Sequence, residues 1–279
     1  MSAPAPTASR PPAGEGRPAR VLRLGAVSYL NAEPHVHGLE GERGIRLERD
    51  VPSRVAARLH AGEVDLAMIP SIEYLLGDYA IVPGIAIGSR GAVRSVRLFH
   101  ALPLADLRRV AVDASSRTSA ALVRLLLRER LGREPEYLSM APALADMMAA
   151  ADAALLIGDP ALDEEGDLPW LDLGEEWTRT TGLPFVYAFW AGRPGSVTPE
   201  EVRRLQRALR EGLEAIPAIA HRHAEGVPTR AAAYESYLRT NVVYRLEEEE
   251  RAGLREFYRR AHALRLVPRV RELVFHADR

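Results

Sequence analysis

From Val21 onward, short apolar runs alternate with helix-patterned stretches, and this alternation limits the fold more than any other feature of the chain. Val21–Val27 reads as a first strand and Ile45–Arg49, which alternates apolar and polar, as a half-buried second. Pro52–Ala61 is helical, with Pro52 at its start and Gly62 as its stop. Asp65–Ile69 is a buried strand, and Pro70–Leu76 restarts a helix that ends at Gly77. Strand, helix, strand, helix implies parallel pairing. From Ile81 to Leu102 the chain turns extended, with Val93–His100 expected as one long strand leaving the first unit. A second α/β unit follows: strand Arg109–Asp113, helix Arg117–Leu131, strand Tyr137–Met140, helix Ala143–Ala149 and strand Ala153–Ile157. Phe185–Trp190 is expected to carry the chain back, and helices over Pro199–Ala220, Arg230–Arg239 and Leu246–Leu264 lead to an extended end at Val267–Phe275. A chain of 279 residues has room for two lobes. The expected division is lobe I over 20–97 plus 190–279 and lobe II over 98–189, with a hinge of two strands and a cleft between them. Residues 1–19, rich in Ala, Pro, Gly and Arg, are expected to be a disordered tail.

Ligands of open α/β sheets bind beyond the carboxyl ends of the strands. Polar clusters follow strands at Ser28-Tyr29-Leu-Asn31, at Pro70-Ser71-Ile-Glu73 and at Asp113-Ala-Ser115-Ser116-Arg117-Thr118-Ser119. The last is the richest. Free N–H groups and the positive dipole end favour an anion at a helix start, and hydroxyls plus a guanidinium add donors there. One Ser would be an ordinary N-cap, whereas this many donors in a row read as a pocket for a carboxylate or phosphate. Tyr29 and Asn31 are read either as cleft donors or as a core ring and a cap. Glu73 is either a general base or a residue favouring its helix dipole. At the expected crossing stand Ser89, Arg94 and Ser95, where Arg94 is either a carboxylate clamp or a solvated strand residue. Asp159, at a strand end, either lines the cleft or caps the next turn.

Composition removes whole classes of chemistry. The chain has no Cys, so thiol nucleophiles, disulfides, iron–sulfur clusters and thiolate zinc are out. It has no Lys either, which excludes a Lys base, a Schiff-base Lys and a P-loop Lys. A net charge of -1 draws it neither to nucleic acid nor to anionic lipid. No dinucleotide fingerprint follows a strand. His35-Val-His37 and His221-Arg-His223 lack further ligands nearby, so no metal is expected. With no secretory h-region and no membrane span, the expected location is cytoplasmic.

Val27-Ser-Tyr-Leu-Asn31, Ile69-Pro-Ser-Ile-Glu-Tyr74, Val93-Arg-Ser-Val96, Asp113–Ser119, Leu156-Ile-Gly-Asp-Pro-Ala161 and Gly182-Leu-Pro-Phe-Val-Tyr187 together resemble, in order, the chorismate dehydratases of the futalosine route to menaquinone. The resemblance runs from about Arg20 to the C-terminus and departs at Ala92, where Pro is expected. It implies a type II periplasmic-binding-protein-like α/β fold and loss of water from chorismate without a cofactor. It also implies catalytic roles for Asn31 and Ser95, with Glu73 or the substrate's own enolpyruvyl carboxylate as proton acceptor. Ser115, Ser116, Arg117, Thr118 and Ser119 would hold one carboxylate of the small-molecule substrate, with Ser28, Tyr29, Ser71, Ser89, Arg94 and Asp159 as further binding residues. The rival readings are a solute-binding protein, a 1,4-dihydroxy-6-naphthoate synthase with a His base, and a regulator's effector domain.

Overall fold

The computed structural model describes residues 20–277; the expected tail at 1–19 lies outside them. The chain builds two sheets. The first holds β1 (Leu22–Val27), β2 (Ile45–Asp50), β3 (Leu66–Pro70), β4 (Ala80–Ile81) and β5 (Gly84–Ser89). The second holds β6 (Val96–His100), β7 (Arg109–Asp113), β8 (Glu136–Met140), β9 (Ala153–Ile157) and β10 (Trp170–Asp172). The late strands β11 (Phe185–Gly192) and β12 (Val243–Leu246) return to the first sheet. The helices, in chain order, are α1 (Glu33–Val36), α2 (Pro52–Ala61), α3 (Thr118–Leu131), α4 (Leu144–Ala150), α5 (Gly158–Leu162), α6 (Leu173–Thr181), α7 (Pro199–Glu214), α8 (Ile216–His223), α9 (Pro228–Thr240) and α10 (Glu248–Ala263).

Each sheet repeats one plan. A parallel trio, β2-β1-β3 or β8-β7-β9, carries the expected strand–helix units. The strand that enters from the other lobe then pairs antiparallel: β6 on β9 in the second sheet, β11 on β3 in the first. The expected lobe boundaries fall inside these two strands. Val96 already pairs with Ile157, and Phe185 already pairs with Ser89, so the crossings are the turn after β5 and the loop Gly182–Pro184 rather than strands. The turn cannot be the middle of a long Val93–His100 strand because Arg94 adopts φ 65, a left-handed conformation that breaks extended pairing.

Three further differences have local causes. The helix expected over Pro199–Ala220 is split at Ala215, because Pro217 in the next turn has no N–H to continue the ladder. β12 precedes α10 where helix was expected to begin at Leu246, and it docks as an edge strand on β5. Ser71–Leu76 is a tighter 3-10 helix rather than an α-helix, which redirects Glu73. The extended end at Val267–Phe275 touches the first sheet at one bridge, Phe275 to Ile81.

One apolar core runs through both lobes, joining Val55, Leu59 and Ile69 of the first to Leu107, Val110 and Leu122 of the second. At the junction the rings of Trp177 and Phe257 both pack edge-on against Phe185, at 5.3 and 4.9 Å. Among the described residues no helix is long and apolar enough to cross a membrane.

Candidate active site

The carboxyl ends of the two parallel trios face each other across a cleft, the place where open α/β sheets bind small molecules. Val27, Tyr29 and Asn31 come from beyond β1, Pro52 from beyond β2, and Pro70 from the end of β3. Ser116, Arg117, Thr118 and Ser119 come from beyond β7, with Ile157 and Gly158 at the end of β9. Ser95 and Val96 at the start of β6 and Tyr187 on β11 complete the wall. Among the described residues no Asp, Glu or His lines it.

The Asp113–Ser119 segment forms the most polar wall. Helix α3 starts behind Arg117, and no side chain caps it. Ser115 could have done so, but its N–H and hydroxyl both donate to Asp113 Oδ1, at 2.8 and 2.7 Å. Burial pushes the Asp113 carboxyl up, against the pull of these Ser115 bonds. Thr118 Oγ1 accepts from Ile72 N at 3.2 Å and lies 3.4 Å from Ser71 Oγ, tying the lobes together. The Ser116 hydroxyl is buried with no partner. The first-turn N–H groups of α3 thus have neither an intrahelical acceptor nor a side-chain cap, and Ser116, Thr118 and Ser119 around them line the cleft. Arg117, about half exposed, adds a cation at the rim.

Across the cleft, Tyr237 of α9 donates to Ser95 Oγ at 2.8 Å, and the Asn31 side chain lies beside the same phenol. Tyr29 OH lies 3.2 Å from Ser115 Oγ, and burial first of all raises this phenol to about 12, so it stays protonated. Gly158 is required under the Tyr29 ring: it sits at φ +64, and a Cβ there would come within 2.5 Å of that ring. Tyr187 lends its ring to the wall while its hydroxyl meets Ser89 Oγ at 3.1 Å. Burial holds that phenol well above its ordinary value.

Of the residues singled out in the sequence, Tyr29, Asn31, Ser95, Ser116, Arg117, Thr118 and Ser119 meet in the cleft. Ser71, Ser89 and Ser115 stand behind it; Ser71 donates to Val186 O at 2.8 Å. Others turn elsewhere. Ser28 is exposed outside the lining. Arg94 is exposed, and it is its backbone N–H that matters, donating to Asp172 Oδ2 at 2.6 Å. Asp159 neither lines the cleft nor caps α5: its Oδ1 accepts from Leu30 N at 2.9 Å and its Oδ2 meets His223 Nε2 at 3.1 Å. Glu73 does not line the cleft. The 3-10 turn directs it to His60 Nε2 at 2.7 Å, with Tyr79 OH 2.6 Å from the other ring nitrogen, and it opens on a neighbouring hollow beside Arg124. Its link to the cleft is indirect, through Arg117 Nε at 3.7 Å. His35 is fully buried and lowered to about 4 by that burial. Among the described residues no three His, Asp or Glu gather as metal ligands.

Sequence reasoning missed Tyr237 as a site residue. It sits on a helix far along the chain from Asn31 and Ser95, and nothing in local spacing connects the three.

Two α/β lobes around a cleft, with an open helix start on one wall, define a periplasmic-binding-protein fold. Among solved structures, the alkanesulfonate-binding protein SsuA from Xanthomonas axonopodis pv. citri shares the fold with TM-score 0.65 and 19% identity, over 91% of this chain and 96% of that one. Protein AF1704 from Archaeoglobus fulgidus shares it with TM-score 0.67 and 19% identity, over 88% and 98%. In sequence, the chorismate dehydratase of Thermus thermophilus is 34% identical over 255 residues, 84% of this chain and 93% of that protein. The family profile described as menaquinone biosynthesis matches residues 22–263, and the chain belongs to that family.

Proposed function

We propose that the protein is a chorismate dehydratase, a carbon–oxygen lyase that removes water across C3 and C4 of chorismate to give 3-[(1-carboxyvinyl)oxy]benzoate. The observation that carries this reading is the uncapped start of α3, with the unpartnered Ser116 hydroxyl beside it, in a cleft that also presents Asn31 and Ser95. The 34% identical dehydratase supports the substrate.

The chemistry asks for three things. The dianion must be held, the C3 proton removed and the C4 hydroxide let go. We assign the ring carboxylate to the α3 terminus. When the C3–H bond breaks, its electron pair delocalises through the C1–C2 double bond into that carboxylate. Donors already fixed there strengthen their hold as charge builds up, which lowers the barrier. Asn31 and Ser95 are assigned to the C4 oxygen, donating as its bond to carbon breaks. Among the described residues no carboxylate or imidazole lines the wall, so the substrate's enolpyruvyl carboxylate is assigned as proton acceptor. That proton and the departing hydroxide leave as water, the ring becomes aromatic, and no electron is gained or lost. The naphthoate synthase reading calls for a cleft histidine, and none of the described residues in the wall is one.

The direct test is to mix protein and chorismate and follow the ultraviolet spectrum and the product mass. Turnover to the aromatic, one-water-lighter product is expected; binding without turnover would return the protein to the solute-binding class. Asn31→Ala should lower kcat about 10²-fold with little change in KM, as for loss of one transition-state donor. A rise in KM at unchanged kcat would remove Asn31 from the reaction.

A further inference from the structure

Tyr237 is about 1% exposed and does not line the cleft, yet its hydroxyl ends on the cleft wall. A buried phenol usually takes a hydrogen-bond partner, and a backbone carbonyl commonly serves. Tyr258 donates to Ser71 O and Tyr74 to Glu272 O in that way. Tyr237 differs in ending on a side chain of the cleft wall: it donates to Ser95 Oγ, and Asn31 lies beside the same phenol.

This arrangement has a direction. A serine hydroxyl has one proton. Because Ser95 Oγ accepts from Tyr237, its own proton is left free for another acceptor, and the space it borders is the cleft. Asn31, beside the same phenol, lines the cleft as well. Hydrogen bonds linked in series polarise one another, so each donor at the end of such a chain is stronger than alone. Burial keeps the Tyr237 phenol protonated, so it remains a donor throughout the ordinary pH range.

We propose that Tyr237 is a positioning residue for the elimination: it fixes Asn31 and makes Ser95 a donor aimed at the departing oxygen of the substrate. The proposal rests on the dehydratase reading, so the experiment separates the two. Wild-type protein that does not turn over chorismate removes the dehydratase reading itself. Given wild-type turnover, Tyr237→Phe, which keeps the ring and deletes the hydroxyl, should lower kcat about tenfold or more and leave KM within about threefold, the mark of a contribution to the transition state alone. The same change in a Ser95→Ala background should cost clearly less, because its target is gone. Tyr244→Phe is the control, since its buried hydroxyl has no partner and it lies outside the cleft lining; its kcat should match wild type. Unchanged kcat in Tyr237→Phe, full additivity with Ser95→Ala, or an equal loss in Tyr244→Phe would each overturn the proposal. If Tyr237→Phe does not fold, a ring-fluorinated tyrosine placed at 237 keeps the shape and sharpens the donor. A shift in kcat at constant KM is then expected, and no shift overturns the proposal.

Discussion

Two helices of the second lobe begin in opposite ways. At α6 the Asp172 carboxylate gathers four backbone donors: Val93 N at 3.0 Å, Gly174 N at 2.9 Å and Glu175 N at 3.1 Å on Oδ1, and Arg94 N at 2.6 Å on Oδ2. Two of these belong to its own helix and two to the turn that crosses between lobes. At α3 no side chain takes that place. The residues that could cap it are engaged elsewhere, Ser115 by Asp113 and Thr118 by the opposite lobe. The physics is the same at both ends, since helix N-termini favour a carboxylate. One end is filled permanently by the protein and serves as a structural joint. The other is kept clear. A withheld cap is not enough by itself, since α2, α4 and α9 also start without a side-chain cap; α3 differs in starting on the cleft wall, with Ser116, Arg117, Thr118 and Ser119 in the lining.

The comparison breaks most visibly at the filled end. Asp172→Ala leaves four buried or half-buried N–H groups without their charged acceptor. A loss of about 3–5 kcal/mol is expected, given ~1.5–3 for a hydrogen bond to a charged group. At ~2–4 °C per kcal/mol for a chain of this size, Tm should fall by about 10 °C in calorimetry. An unchanged Tm would mean that the α6 terminus is not an anion site at all. At the open end the expected losses fall on binding instead. Arg117→Asp puts a protein carboxylate where the substrate's should lie, and affinity for chorismate should drop about 10²-fold, or ~2.7 kcal/mol, by titration calorimetry. Tm should move little, because Arg117 is about half exposed and its Glu73 contact is long at 3.7 Å, an arrangement worth under ~1 kcal/mol. Ser116→Ala is gentler: KM should rise about tenfold, ~1.4 kcal/mol, for loss of one hydrogen bond to a charged group. Its stability should hold or improve, because the hydroxyl has no partner to lose in the free protein. A fall in stability without a change in KM would make Ser116 an ordinary packing residue.

The parts legible in the sequence were those written in short-range order. The Pro52–Ala61 helix and the strands over Arg109–Asp113 and Ala153–Ile157 follow from periodicity and from Pro and Gly stops, and they stand in the structure. The α3 cluster was legible because it is contiguous. What escaped depends on contacts between distant segments. Arg94 reads as a strand cation, but Asp172, 78 residues away, bonds its backbone at a left-handed turn. Glu73 reads as a cleft base until His60, on the preceding helix, draws it aside. Tyr237 has no local signature, since its meaning comes only from meeting Ser95, 142 residues earlier. Spacing can mark where donors are concentrated, but it cannot say which of them are already engaged.

A third carboxylate lies between the two cases and gives the smallest effect. Asp159 stands in the first turn of α5, yet it reaches into the first lobe, to Leu30 N and to His223 on α8. His223 is raised above its ordinary value, first by its hydrogen bond to Asp159, against the lowering effect of burial, with the charges of Asp159, Glu33 and Asp163 assisting. A raised histidine stabilises the fold fully below its unfolded value of about 6.5 and loses that contribution as pH rises through the higher folded value. The interlobe tie should therefore be stronger near pH 6 than near pH 9, by under ~1 kcal/mol for a partly exposed pair. Melting curves of wild type and His223→Gln across that range provide the check. The Tm gap between them should be widest at the acidic end and narrow as pH rises, whereas the Asp172→Ala gap, which involves no histidine, should stay open. A His223→Gln gap that does not vary with pH would mean that Asp159 holds the lobes through Leu30 alone and behaves like Asp172, as a fixed joint.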